Sequence, residues 1–214
     1  LASPHLDDLQ CAFSSLKGFL AAEPKDSVAV HCVYDNEEVG SGTKQGAEST
    51  FLKDVLHRIN GALGKTPEDY YQAVAGSFLV SCDNAHAVHP NHGEKTDAVN
   101  CSWMNKGIVI KESANQKYTT DAFSRAVFTN ICNEAGVPVQ AFANRSDSAG
   151  GSTLGNLSNT QVSVHAVDIG LPQLGMHSCY ETAGVKDVEY AISALTKFYQ
   201  TNLQIEGAES AMFE

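Results

Sequence analysis

The sequence contains no apolar run approaching the roughly 18 residues that cross a bilayer, which excludes a membrane-spanning helix. It has no basic excess. Lys and Arg number 14 against 25 Asp and Glu, a formal net charge of −11, and that balance argues against nucleic-acid binding through a basic face. No block reaches five like charges, so a disordered charged tail is not expected. The six cysteines, at 11, 32, 82, 101, 132 and 179, include no Cys-x-x-Cys pair, which removes a zinc ribbon and a thioredoxin-type motif. Most lie in apolar stretches, as small core residues do, and a reduced cytoplasm is the expected compartment. Leu1-Ala2-Ser3-Pro4-His5 carries neither a basic start nor an apolar signal core, so no secretion signal is visible. Gly150-Gly151-Ser152-Thr153 lacks the Lys-Ser/Thr ending of a phosphate-binding loop and reads as a turn and helix start.

What is present is a chain of 214 residues, 43% hydrophobic, enough for one large or two small globular domains. From Asp7 to Ala22 the apolar residues Leu9, Cys11, Ala12, Phe13, Leu16, Phe19 and Leu20 recur at helical spacing. Ser27 to Tyr34 reads as a buried strand. Ala47 to Leu63 reads as a helix closed by Gly64. Thr66-Pro67-Glu68-Asp69 is a helix start, with a capping Thr, Pro at the first helical position and acids at the positive dipole end. Ser77 to Ser81, Gly107 to Lys111, Val137 to Ala143 and Val162 to Ile169 read as strands. Thr120 to Gly136 and Lys186 to Thr201 read as helices. The stretch Asp83 to Lys106 is long, polar and irregular, as functional loops are. Strands alternating with helices predict an α/β layered domain whose ligands gather at the carboxyl ends of strands. Glu37, Glu38, Asp83, Lys111 and Asp147 all fall just after predicted strands.

The segment Asp35-Asn36-Glu37-Glu38-Val39-Gly40-Ser41-Gly42 stands out among these. Adjacent carboxylates at a strand end repel, and a metal is the usual compensation, one acid as ligand and its neighbour free for general-base work. The plain alternative is two solvated glutamates in a polar loop. Further carboxylates and imidazoles occur at Asp7-Asp8, at Asp83 with His86 and His89, and at His177. A mixed set of this kind suits zinc, manganese or cobalt. Taken singly, Asp7 could be a helix-start acid and His86 a loop histidine bonded to backbone. His5 and His165 carry no functional argument.

Five segments together resemble the aspartyl aminopeptidases, which are dinuclear zinc exopeptidases. They are Ser3-Pro4-His5-Leu6-Asp7-Asp8-Leu9, the DNEEVGSG run at 35–42, the run from Ser81 to Asn91, Val109-Ile110-Lys111 with Asn115-Gln116-Lys117-Tyr118, and the run from Asp168 to Ser178. The resemblance spans most of the chain and keeps the order. It implies a three-layer α/β/α sandwich with a mixed, mostly parallel central sheet, and two divalent metal ions, zinc above all. It implies that Asp7 bridges the ions, that Glu38 and His177 complete one position and that Asp83 serves the other. It makes Glu37 the general base, and His86, Lys111 and Tyr118 substrate-binding residues. A cis peptide is implied at Asp7-Asp8. The implied reaction removes an N-terminal residue, Asp or Glu, from a peptide substrate.

There are departures. The resembling family places one more histidine ligand in a His-x-Asp segment upstream of the bridging aspartate, and an oligomerisation domain that lends a histidine to the neighbouring subunit. Neither is found in this sequence. Residues 1–214 are therefore expected to form an incomplete catalytic domain of a longer chain, weakly active or inactive alone, with the longer protein a homo-oligomer. Two other readings stay open: a non-catalytic fragment that keeps the fold, and a two-metal deacylase on the same fold.

Overall fold

The computed structural model describes residues 1–213. In chain order the elements are β1 (Ala2–Ser3), α1 (Leu6–Ala21), α2 (Phe51–Ala62), α3 (Pro67–Ala75), β2 (Phe78–Cys82), β3 (Ala85–His86), β4 (Ile108–Glu112), α4 (Ala122–Glu134), β5 (Val139–Ala143), α5 (Leu154–Ser158), β6 (His165–Gly170), β7 (Pro172–Leu174), β8 (Glu181–Ala183), α6 (Val185–Gln200), β9 (Leu203–Ile205) and β10 (Ala211–Phe213). Local chemistry explains several boundaries. Thr66 and Asp69 form a reciprocal capping box with Pro67 in the first turn of α3, and Asp121 with Ser124 does the same for α4, each satisfying amides that the helix cannot.

The central sheet has the order β2-β6-β4-β5. β2 runs parallel to β6 and β4 parallel to β5, while β4 and β6 are antiparallel. Its faces alternate, as the two-residue period of a strand requires. Ile108 and Ile110 of β4 and Val167 and Ile169 of β6 enter the main core with Cys11 of α1, Phe128 of α4 and Ala191, Ala194 and Leu195 of α6. Val109 points to the other face with Ala85, Tyr118 and Phe142, and α5 packs there by donating from Gly155 N–H to Ser81 Oγ at 2.9 Å. Each fully buried Ile, Leu or Phe contributes about 1.5–3 kcal/mol. The helices α1 and α6 approach closely at Gly18, where a Cβ would lie 2.8 Å from Leu195 Cβ. This is the layered α/β/α architecture with a mixed, mostly parallel sheet that the resemblance implies. A second sheet, β1-β8-β7-β3, and the hairpin β9/β10 complete the fold. Among the described residues no helix is long and apolar enough to cross a membrane.

One predicted element is corrected. Residues 27–34 form no strand, and Val28 and Val33 are 76% and 60% exposed. A strand needs a ladder partner. Here a cavity of about 730 Å³ lies between residues 26–38 and β2, and the segment is held by side chains instead. His31 Nε2 meets Ser15 Oγ at 3.0 Å, Tyr34 OH meets Ser158 Oγ at 3.0 Å, and Tyr199 OH donates to Val30 O at 3.3 Å. Helix α2 also starts four residues later than the pattern suggests, because residues 43–50 spend their amides on turns such as Gly46 N to Thr43 O and Ser49 N to Gly46 O. All six cysteines are free, with Cys11 and Cys132 buried and Cys179 exposed.

Candidate metal centre

Four loops deliver acids and a histidine to one place. Asp7 and Asp8 open α1 with non-helical backbone, joined by a cis peptide. Asp83 leaves β2 with its N–H donating to Ile169 O at 3.1 Å. This close approach depends on Gly170, where a Cβ would fall 2.3 Å from Asp83 O. Glu37 and Glu38 lie in a turn closed by Gly40 N–H donating to Asn36 O at 2.8 Å. His177, at φ +66°, sits in the loop between β7 and β8.

The ligand atoms of Asp7, Glu38 and His177 lie within 4.8 Å of one another, and so do those of Asp7, Asp8 and Asp83. Asp7 belongs to both sets. His177 Nε2 is 3.0 Å from Asp7 Oδ2 and 3.1 Å from Glu38 Oε2. Asp7 Oδ1 and Asp8 Oδ1 are buried without a hydrogen-bond partner, a costly state for a carboxylate oxygen. Convergent oxygens, one imidazole and unsatisfied buried acceptors fit divalent metal ions of the zinc, manganese or cobalt class. The carboxylate of Asp8 shares the second set.

The acids strain one another electrostatically. Burial, then the charges of Asp83 and Glu38, raise Asp7 to about 7. Burial, then Asp83, Glu38 and Asp7, raise Glu37 to about 8. Burial and the Asp83 charge push Asp8 well up. His86, at the exposed rim on β3, is driven down by loss of hydration and by the Lys111 charge. The folded metal-free chain therefore keeps protons on Asp7 and Glu37 that an unfolded chain, with ordinary values of 3.8 and 4.5, would release. Because the folded state binds more protons between those ordinary values and about 7 to 8, its stability falls as pH rises through that window. Metal-free protein is expected to melt at lower temperature at pH 8 than at pH 5, and Glu37→Gln should shrink the difference. A melting temperature that stays flat or climbs from pH 5 to pH 8 would contradict these shifts.

Lys111, which the resemblance makes a substrate-binding residue, is turned inward onto an acid. It is 2% exposed, and Nζ donates to Asp83 Oδ2 at 2.9 Å, Asp83 O at 3.0 Å and Asn84 O at 3.1 Å. An ammonium has three donors, so none remains for a substrate carboxylate in this state. Burial alone would lower its affinity for the proton, but the Asp83 and Asp168 charges outweigh it and hold the cation firmly protonated. Tyr118, also buried, covers it with its ring centroid 5.5 Å from Nζ. Asp168 is fully buried and lies opposite Ser81 in the sheet. Its carboxylate accepts from Thr119 N–H at 2.5 Å, Thr119 Oγ1 at 2.6 Å and Thr153 Oγ1 at 2.6 Å, which anchors the loop carrying Tyr118.

The family model described as "Aminopeptidase I zinc metalloprotease (M18)" matches residues 1–199. The chain belongs to the M18 family. It is 47% identical over 199 residues to a probable M18 family aminopeptidase 2 of Clostridium novyi, covering 93% of this chain and 46% of that protein. It is 41% identical over 210 residues to aspartyl aminopeptidase 1 of Schizosaccharomyces pombe, covering 95% of this chain and 44% of that one. It superposes on the mApe1 dodecamer structure of S. cerevisiae with a TM-score of 0.79 at 28% identity, covering 92% of this chain and 45% of that one. The chain thus spans about half the length of the M18 relatives it matches.

Proposed function

We propose that this M18 chain is the metal-binding catalytic part of an aminopeptidase that removes an N-terminal acidic residue from peptides. The observation that carries the reading is Asp7, whose carboxylate is shared by two ligand sets beside a base raised towards neutrality. Asp7, Glu38 and His177 would hold one ion, and Asp7 with Asp83 the other, with Asp8 close by. Bound there, two divalent ions would polarise the scissile carbonyl and acidify the attacking water. Glu37 takes a proton from the water as its oxygen adds to the carbonyl carbon, then passes it to the leaving amine as the C–N bond breaks. His86 at the rim positions the substrate. Lys111, with Tyr118 over it, contributes by fixing Asp83 and by placing positive charge beneath the site, which favours an acidic substrate end. The name of the S. pombe relative supports the acidic preference, and the yeast dodecamer supports a homo-oligomeric whole protein.

Metal analysis on protein purified without chelator tests the reading, with Asp7→Asn and His177→Ala as comparisons. Wild type is expected to hold two ions. Asp7→Asn should lose both and His177→Ala one, because only Asp7 serves both sets. Equal losses in the two variants, or no metal in wild type, would refute the shared-carboxylate assignment. Cleavage of Asp-, Leu- and N-acetyl-Asp-peptides then separates an acidic aminopeptidase from a neutral one and from a deacylase.

A further inference from the structure

We propose that Glu181 is a positioning residue that fixes the spacing between Asp7 and His177; the proposal rests on the metal-centre reading above. Glu181 opens β8 and pairs with Ser3 of β1, on the strand that leads into Asp7. The residue is 2% exposed. One oxygen, Oε2, accepts from Asp7 N–H at 2.9 Å, and the other, Oε1, accepts from His177 N–H at 2.7 Å. Among the described residues no Lys, Arg or His forms an ion pair with it. A buried carboxylate without a cation is expensive, and here both of its oxygens are spent on the backbones of two candidate ligands 170 positions apart.

The grip on Asp7 is two-sided. The peptide unit between Leu6 and Asp7 gives its N–H to Glu181, while its carbonyl accepts from Asn84 Nδ2 at 2.7 Å. Asn84 follows Asp83, so the clamp also refers Asp7 to the second ligand set. His177 has no comparable anchor of its own. Its loop is exposed, its φ is positive, and the Glu181 bond is what ties its backbone to the buried side. The planar carboxylate therefore holds two amides at a set separation, which sets where the Asp7 and His177 side chains meet.

The test is Glu181→Gln in the full 214-residue chain. Glutamine keeps the shape but offers one acceptor oxygen, so one of the two amides loses its partner. Zinc and cobalt affinities would be read by competition with a chromophoric chelator, and cobalt geometry from its visible absorption bands, at a temperature where both proteins are folded. Orienting groups of this kind change metal affinity by about 10–100-fold, and that loss with a shifted cobalt spectrum is the expected result. Unchanged affinity and spectrum with a lowered melting temperature would make Glu181 merely structural and overturn the proposal. Amide hydrogen exchange in wild type gives a second reading that needs no variant. Asp7 and His177 amides should exchange slowly, and loop-like exchange at either overturns the clamp even if Glu181→Gln does not fold. Wild-type protein that binds neither ion would refute the metal-centre reading while leaving the exchange rates to judge the clamp.

Discussion

Glu37→Gln is expected to lower kcat/KM for an Asp-peptide by about 10²–10⁴-fold, the range that a positioned general base supplies, with metal content unchanged. Glutamine is nearly isosteric and cannot accept the proton. Glu37 lies outside both groups of convergent ligand atoms, so its loss should spare the ions, whereas Glu38→Ala should not. The sign of the pH effect follows from the environment. In the metal-free chain, burial and then the charges of Asp83, Glu38 and Asp7 hold Glu37 at about 8, while Lys111 pulls the other way. Bound cations act in the direction of Lys111, so the loaded protein should titrate below that value. The base works deprotonated, and kcat/KM should rise with pH through its folded value and then level. Glu37→Gln should flatten that acidic limb. A variant within about tenfold of wild type, or one that lost metal, would remove Glu37 from the base role.

Much of this arrangement was legible because the chemistry is local. Thr66-Pro67 with Asp69 announces α3, the isolated apolar runs before Asp83 and around Val109 announce β2 and β4, and the Glu37-Glu38 pair announces charge needing compensation. Residues 27–34 misled for the opposite reason. Val28, Val30 and Val33 carry the composition of a strand, but a strand is a property of a pair, and no ladder partner lies beside them. The contacts of Asp8 and Glu181 join distant segments, Asp8 with Asp83 and Glu181 with Asp7, and no local spacing shows them. Each looks like an ordinary acid at a helix start or strand end, and no spacing rule reveals a buried carboxylate with two backbone donors. Lys111 is legible as a strand-end cation, but its partners are not. Its place at the end of a strand is readable from the sequence, and only the fold shows that Asp83 and Asn84 take its three donors.

That inward cation carries the largest expected stability effect. Asp7, Asp8, Glu37 and Asp83 crowd one site, and Lys111 is the cation most deeply buried among them. Removing one partner of a buried ion pair costs about 3–5 kcal/mol, because the other is left desolvated and unpaired. Lys111→Met keeps the aliphatic stem under the Tyr118 ring and deletes only the charge and its three hydrogen bonds. Metal-free Lys111→Met is therefore expected to melt roughly 6–20 °C below wild type, at about 2–4 °C per kcal/mol for a chain of this size. The deficit should be larger at pH 8 than at pH 5, since the protons that Asp7 and Glu37 hold at pH 5 relieve repulsion that Lys111 otherwise balances. Zinc, supplying positive charge to the same acids, should recover part of the loss in the variant. Calorimetry of both proteins at the two pH values, with and without zinc, checks all three statements. A deficit of about 1 °C, or one that shrinks as pH rises, would mean that Asp83 is balanced by something other than Lys111.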